Sequence, residues 1–196
     1  PWLIARPSTI VCESERGDVR QVNAVHRALQ LHHAGLASLL PGDEDTPVDV
    51  VPNDYVSDAL ARLAVARDAA GGTYHLCAGA GAIGLGALLD LSHATWSESE
   101  AWRRRGTARP ALTDLETYRL FERTVEETGD ARLRRITRSL SHFVPQLALA
   151  KRFETTQADA AVGFAAPAVD AYFHRVLRGI GAKRGRGVEP DLPEAA

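Results

Sequence analysis

The most conspicuous chemical feature of this chain is Gly79-Ala80-Gly81-Ala82-Ile83-Gly84, a G-x-G-x-x-G run between an apolar stretch and a helical one. Such glycines let a backbone approach a pyrophosphate held at a helix N-terminus. The confirming context is a second parallel strand after the helix, ending in an acidic residue about 20 positions on. Ser92–Glu100 supplies no strand, so the run reads as a glycine-rich strand-to-helix turn. Seven histidines invite a metal hypothesis, with His26, His32 and His33 close together. There is no H-E-x-x-H and no cysteine or carboxylate at ligand spacing, so no metal is expected and a surface or interface role is. His75 is expected to pack or bond locally within its strand. Asp49 and Asp54 read as a strand-end turn partner and a helix cap. Cys12 and Cys77 sit at the ends of apolar strands without a C-x-x-C, as buried free thiols do. No G-x-S-x-G elbow and no P-loop occurs.

The elements that must position these residues start with Val48–Leu60. A short alternating strand breaks at Pro52, and Asn53 or Asp54 caps a helix whose inner face carries Val56, Leu60 and Leu63 with Ala59 and Ala64. After Gly71-Gly72 a second strand begins, Thr73–Ala78, and an earlier one spans Leu3–Val11. The helical crossover predicts that these two strands are parallel neighbours in an α/β fold. Asp18 and Gln21 have capping-box spacing and open a helix that Gly35 closes. Arg103-Arg104-Arg105-Gly106 and Arg109-Pro110 read as a linker, followed by a box at Thr113/Glu116 and a helix through Leu115, Tyr118, Phe121 and Val125. A further helix runs from Asp130 through Leu133, Ile136, Leu140 and Phe143 to Pro145. The cleanest amphipathic pattern is Val169, Tyr172, Phe173, Val176, Leu177 and Ile180, entered through Pro167.

The formal charge of -2 gives no electrostatic case for nucleic acid. No apolar run approaches the ~20 residues of a membrane span and no secretory signal opens the chain, so a cytoplasmic protein is expected. There is no methionine, and the chain opens inside an apolar strand, which reads as a piece of something longer.

Three motifs together carry a family resemblance. Arg6-Pro7-Ser8-Thr9-Ile10-Val11, Asp49-Val50-Val51-Pro52-Asn53-Asp54-Tyr55-Val56 and Tyr74-His75-Leu76-Cys77-Ala78-Gly79 occur in the order and spacing seen late in the reductase domain of extended short-chain dehydrogenases. The chain resembles the fatty acyl-CoA reductases ("male sterility" proteins) and the carrier-protein thioester reductases. Phe143-Val144-Pro145, Arg152-Phe153-Glu154-Thr155-Thr156 and Pro167 are similar to the small helical domain that follows in those enzymes. The chain departs from the family pattern at Cys12, where a glycine is frequent, and at Arg16, where a threonine is.

The resemblance implies the C-terminal part of an extended Rossmann-type reductase domain, a few parallel strands with helices, followed by a small all-helical region. Residues 1–101 would be the reductase part, 102–182 the helical domain and 183–196 a disordered tail. It implies NADPH as cofactor and an acyl-CoA or acyl-carrier protein as substrate partner. The N-terminal half of the domain would be a further partner, with peripheral membrane contact expected and nucleic acid not. Pro7, Ser8 and Thr9 would line the nicotinamide, and Cys12, Glu13 and Ser14 the acyl pocket. The family's acid is a Tyr with a Lys four residues on, which lowers the phenol's pKa. That position after Tyr55, Tyr74, Tyr118 and Tyr172 holds Ala59, Ala78, Glu122 and Val176, so this chain carries no catalytic residue. The same resemblance places the cofactor's glycine loop upstream. The alternatives are a sugar epimerase or dehydratase of the same fold, and a non-catalytic module docking a carrier protein or membrane through arginine-rich helix faces.

Overall fold

Pro52 stops one ladder and the first strand changes partner after Pro7, and the fold follows from these two points. The structure is a computed structural model that describes residues 2–129, 131–141 and 144–184. The strands are β1 (Ile4–Pro7), β2 (Thr9–Ile10), β3 (Leu39–Pro41), β4 (Pro47–Val48), β5 (Val50–Val51), β6 (Thr73–Leu76), β7 (Ile83–Gly84) and β8 (Ala111–Thr113). The helices are α1 (Ala24–His33), α2 (Asn53–Val65), α3 (Leu85–Trp96), α4 (Glu100–Arg103), α5 (Leu115–Thr128), α6 (Ala131–Leu140), α7 (Val144–Leu147), α8 (Thr156–Val162) and α9 (Val169–Arg184). Asp130, Phe143 and residues 185–196 of the expected tail lie outside the described residues. The chain forms two compact units, each assembled from three stretches. One holds the residues up to Val22, Pro47–Ile83 and Lys151–Val176; the other holds Asn23–Thr46, Gly84–Ala150 and the residues from Leu177.

In the first unit β1 and β6 are parallel, in register from Ile4↔Thr73 to Pro7↔Leu76, as the helical crossover required. The expected single strand Leu3–Val11 is divided at Ser8. Beyond it, β2 leaves β6 and pairs in parallel with β5, Thr9 opposite Val50 and Ile10 opposite Val51. Pro52 ends β5 and takes the N-cap position of α2 without a side-chain cap. The helix buries Tyr55, Val56, Ala59 and Leu63 against Val51, Leu76 and, from α8, Ala158 and Val162. Leu60 and Ala64, expected on that inner face, are exposed (Leu60 43%), because Ala59 and Leu63 define the stripe and these two lie to one side of it. The α9 residues of this unit, Val169, Tyr172, Phe173 and Val176, are buried, and each such apolar side chain contributes about 1.5–3 kcal/mol.

In the second unit α1 starts at Ala24, later than the Asp18/Gln21 spacing predicts. Asn23 is the better cap: its Oδ1 accepts from the amides of Val25 at 3.0 Å and His26 at 3.3 Å, while His26 Nδ1 accepts from the Asn23 amide at 3.2 Å. The other end follows expectation. Gly35, at φ +71, lets its own amide reach His32 O and the Leu36 amide reach Leu31 O, a Schellman closure. His26, His32 and His33 are buried at 2%, 2% and 4% exposure, which overturns the expected surface role. The imidazoles of His32 and His33 meet the Trp96 ring edge-on at 5.1 and 4.8 Å, so they serve as flat aromatic filler. Leu31, Ala37, Tyr118, Ile136, Leu140 and Val144 form a second core. A parallel pair, β3 with β8, lies in this unit as well. The α5 cap is Asp114 rather than Thr113, with its carboxylate on the Thr117 amide and hydroxyl at 2.8 and 2.6 Å.

Candidate functional site

Within the first unit the strand partner changes at Ser8, at the carboxyl ends of β1 and β6. In open α/β sheets ligands bind outside the carboxyl ends of strands, where neighbours diverge. The Ser8 amide makes the last bond to β6, to Leu76 O at 3.2 Å, and the Val11 amide bonds Val51 O at 3.0 Å. Pro7 and Thr9 are exposed; the Ser8 hydroxyl is buried beside the Cys77 thiol, with no oxygen or nitrogen partner among the described residues.

Asp49 ties the start of β5 to the end of β6. Its carboxylate accepts from the amides of Ala78 at 2.8 Å and Gly79 at 2.9 Å, immediately beyond β6. It is thus the turn partner the sequence suggested, and it fixes the glycine run's chemistry. The Gly81 and Ala82 amides bond Ala78 O and Gly79 O, so these amides are turned inward and not offered to a phosphate. In the second unit the first α3 amides are similarly used, Leu85 on Thr46 O at 2.8 Å and Gly86 on Glu44 O at 3.0 Å. A Cβ at Gly81 would meet nothing within 4 Å. Gly81→Ala is therefore expected to change stability by no more than about 0.5 kcal/mol in urea unfolding. It should also leave nicotinamide-cofactor affinity unchanged in a complete reductase; a selective weakening there would restore the run as a phosphate loop.

The loop after β2 is closed on itself. The Glu13 amide donates to Asp18 O at 3.0 Å and the Gly17 amide to Glu13 O at 2.9 Å. The Glu13 carboxylate accepts from the amides of Glu15 and Arg16 at 3.2 and 2.7 Å. Cys12 is 3% exposed, and its carbonyl accepts from the Asn53 amide at 2.7 Å. Asp54 is not the expected cap: it binds Ser14, through the amide at 2.9 Å and the hydroxyl at 2.5 Å. Cys12, Glu13 and Ser14 therefore hold the loop's shape, and Glu15 and Arg16 form its exposed tip.

Among the described residues, burial raises both thiols and three of the phenols. Burial, with Asp54 and Glu13 nearby, pushes the Cys12 thiol up to about 12; burial and Asp49 push Cys77 up to about 11. Tyr55 is raised to about 12 by burial and by Asp159, and Tyr118 to about 12 by burial and Glu122. Tyr172 is raised by burial too, and donates to Val50 O at 3.0 Å. These phenols are shifted the opposite way from a catalytic acid helped by a lysine. His75 does not bond within its strand; its ring lies 3.3 Å from Glu154 O and edge-on to Phe153. Among the described residues no group of three His, Cys, Asp or Glu is placed to hold a metal, and no helix is long and apolar enough to cross a membrane.

Comparison with known proteins places this geometry. The fold is mixed α/β with a few parallel strands, and it is shared with a reductase domain. The terminal R domain from the myxalamid PKS-NRPS biosynthetic pathway superposes with a TM-score of 0.62 at 20% identity, over 97% of this chain and 45% of that one. A thiolation-reductase di-domain from an archaeal non-ribosomal peptide synthetase gives 0.54 at 15% identity, over 95% of this chain and 36% of that one. The chain thus spans less than half the length of either structure. Residues 1–60 match the NAD-binding family described as male sterility protein, the family that the motifs resemble. No curated protein matches the sequence.

Proposed function

We propose that this chain is the substrate-pocket part of a nicotinamide-dependent reductase that converts acyl-CoA or acyl-carrier thioesters to an aldehyde or alcohol. The observation that carries the reading is the divergence at Ser8, inside the stretch that matches the male sterility family. The Ser8 hydroxyl, buried without an oxygen or nitrogen partner, fits a group that brings a hydrogen-bonding carboxamide to the strand ends. Pro7, Ser8 and Thr9 would hold that group, with NADPH the preferred form. When bound, the nicotinamide would supply the hydride for reduction at the thioester carbonyl carbon, the thiolate being the leaving group. The chain's own part is to fix the strand end, exclude water with the buried Cys12 and Cys77 side chains, and wall the acyl site with the Cys12–Gly17 loop. Cys12, Glu13 and Ser14 act on substrate through that shape.

A partner for the sheet is part of the proposal. In β1, Ile4 is 40% exposed, and Trp2 just before it 63%. Parallel strands are ordinarily covered on both faces. The N-terminal half of a reductase domain would cover them and bring the glycine loop and the Tyr-x-x-x-Lys pair that this chain lacks. The thiolation-reductase di-domain among the structural neighbours supports a carrier protein as the other partner.

The test is calorimetric titration of this chain with NADPH, alongside absorbance at the nicotinamide band with an acyl-CoA. Neither micromolar binding nor cofactor oxidation is expected from the chain alone; activity is expected when the N-terminal half is supplied. Turnover by this chain alone would overturn the reading, as would a complete domain that reduces no thioester.

A further inference from the structure

Ser14 has every hydrogen-bonding group of its residue engaged from outside its own loop. Its amide and hydroxyl donate to the two carboxylate oxygens of Asp54 at 2.9 and 2.5 Å, and its carbonyl accepts from Arg175 Nη1 at 3.0 Å. Asp54 belongs to the first turn of α2, whose Tyr55 and Val56 are buried in the core. Arg175 belongs to α9, between the fully buried Phe173 and Val176. The same Arg175 Nη1 lies 3.1 Å from Ala171 O of its own helix, which steadies the guanidinium. Gly17 completes the contact. At φ +75 it lies so close to α9 that a Cβ would stand 2.6 Å from Arg175 Cβ and 2.9 Å from its carbonyl carbon. A loop with exposed tip residues is normally mobile; this one is bolted at its midpoint to two helices whose inner faces cannot shift without opening the core.

We propose that Asp54 and Arg175 are positioning residues that lock the Cys12–Asp18 loop in one geometry and thereby set how well the reductase binds its acyl thioester. The inference rests on the function proposed above and names two residues that hold the pocket wall from outside it, Asp54 within a family motif and Arg175 in none. Neither residue needs to touch substrate: each acts through Ser14, and the tip, Glu15 and Arg16, inherits its place from them. Part-buried charge-assisted hydrogen bonds of this kind are strong and directional, so their loss frees the loop while the cores on either side persist.

The experiment uses Asp54→Ala, Asp54→Asn, Arg175→Met and Arg175→Lys. Asn and Lys keep one acceptor or donor, and Met keeps the aliphatic stem. In this chain, amide hydrogen exchange at residues 13–17 is expected to speed up about tenfold or more in Asp54→Ala and Arg175→Met, and to be largely restored in the Asn and Lys variants. In the full reductase polypeptide, the first two variants should raise KM for the thioester about fivefold or more, with kcat and the cofactor's KM within about twofold. Unchanged exchange would overturn the lock. Faster exchange with an unchanged thioester KM, or equal changes in the cofactor's KM, would overturn the positioning role while leaving the reductase reading intact. A wild-type polypeptide that oxidises no nicotinamide cofactor with any thioester would overturn the reductase reading and the substrate half of this inference, the exchange result still deciding the lock.

Discussion

Asp49→Ala is expected to destabilise this chain by about 2–4 kcal/mol, and Asp49→Asn by about half as much. The carboxylate accepts from two consecutive amides, Ala78 at 2.8 Å and Gly79 at 2.9 Å. Both bonds are charge-assisted. Alanine leaves both donors without a partner where the half-buried Asp49 side chain stood. Asparagine still offers one carbonyl oxygen but turns an NH2 group toward the second amide. The cost is larger than for a surface turn because β5 and β6 belong to different two-stranded ladders. Asp49 stands next to β5 and ties it to the end of β6, so its loss frees the strand end beside Ser8. Gly79 has no easy alternative position: at φ +56, with Thr155 Cγ2 and Phe153 O at 2.8 and 3.0 Å from where a Cβ would stand, its backbone is closely fitted. Urea unfolding followed by far-UV circular dichroism measures the effect. A loss under about 0.5 kcal/mol for Asp49→Ala would mean that water replaces the carboxylate and that the two strand ends stay together without it.

The stretches that hold β1, β5 and β6, with α2 and α9, are legible because their signals are local, whereas β3, β7 and β8 carry no alternating pattern. Val48–Val51 before a proline, a glycine pair before Thr73 and the stripe Val169, Tyr172, Phe173, Val176, Leu177 and Ile180 each lie within one element, and all six stripe residues are buried. The helix starts were less legible, since Asp18, Asn23, Asn53 and Asp54 all have capping side chains and only tertiary partners choose among them. Asn23 wins by reciprocity with His26, and Asp54 is drawn away from α2 by Ser14, forty residues back in the chain. The divided first strand was hidden for the same reason: Ser8 looks like any strand residue until β6 and β5 compete for its two sides. Arg175 carried no signal at all, being one arginine among many on helix faces. The histidines misled because polarity alone suggested a surface, whereas an imidazole beside tryptophan can be buried as a neutral ring.

That burial has its own consequence for acid stability. His32 is 2% exposed, and neither of its ring nitrogens has a hydrogen-bond partner among the described residues. Burial lowers its pKa from 6.5 to about 4, with the neighbouring His93 and Arg109 adding smaller effects of the same sign. Arg109 is itself held by Glu44 at 2.6 Å and Asp90 at 2.9 Å, so its charge is fixed near the site. Because the folded-state pKa lies below the unfolded one, the unfolded chain binds the proton more readily between pH 6.5 and about 4. Stability is therefore unaffected by this group above that window and falls as pH drops through it. A depression of this size corresponds to a loss of about 3 kcal/mol once the folded ring titrates, and about 2–3 kcal/mol is already lost near pH 4.5. Carboxylates titrate over part of the same range, so the comparison that isolates His32 is with His32→Leu, an apolar replacement of similar volume. Urea midpoints for both proteins between pH 7.5 and 4.5 should diverge, the wild type falling faster by about 2–3 kcal/mol over the interval while the variant keeps only the carboxylate slope. Parallel curves would show that the His32 ring reaches water or a proton acceptor in the folded state, and that the Trp96 contact does not hold it neutral.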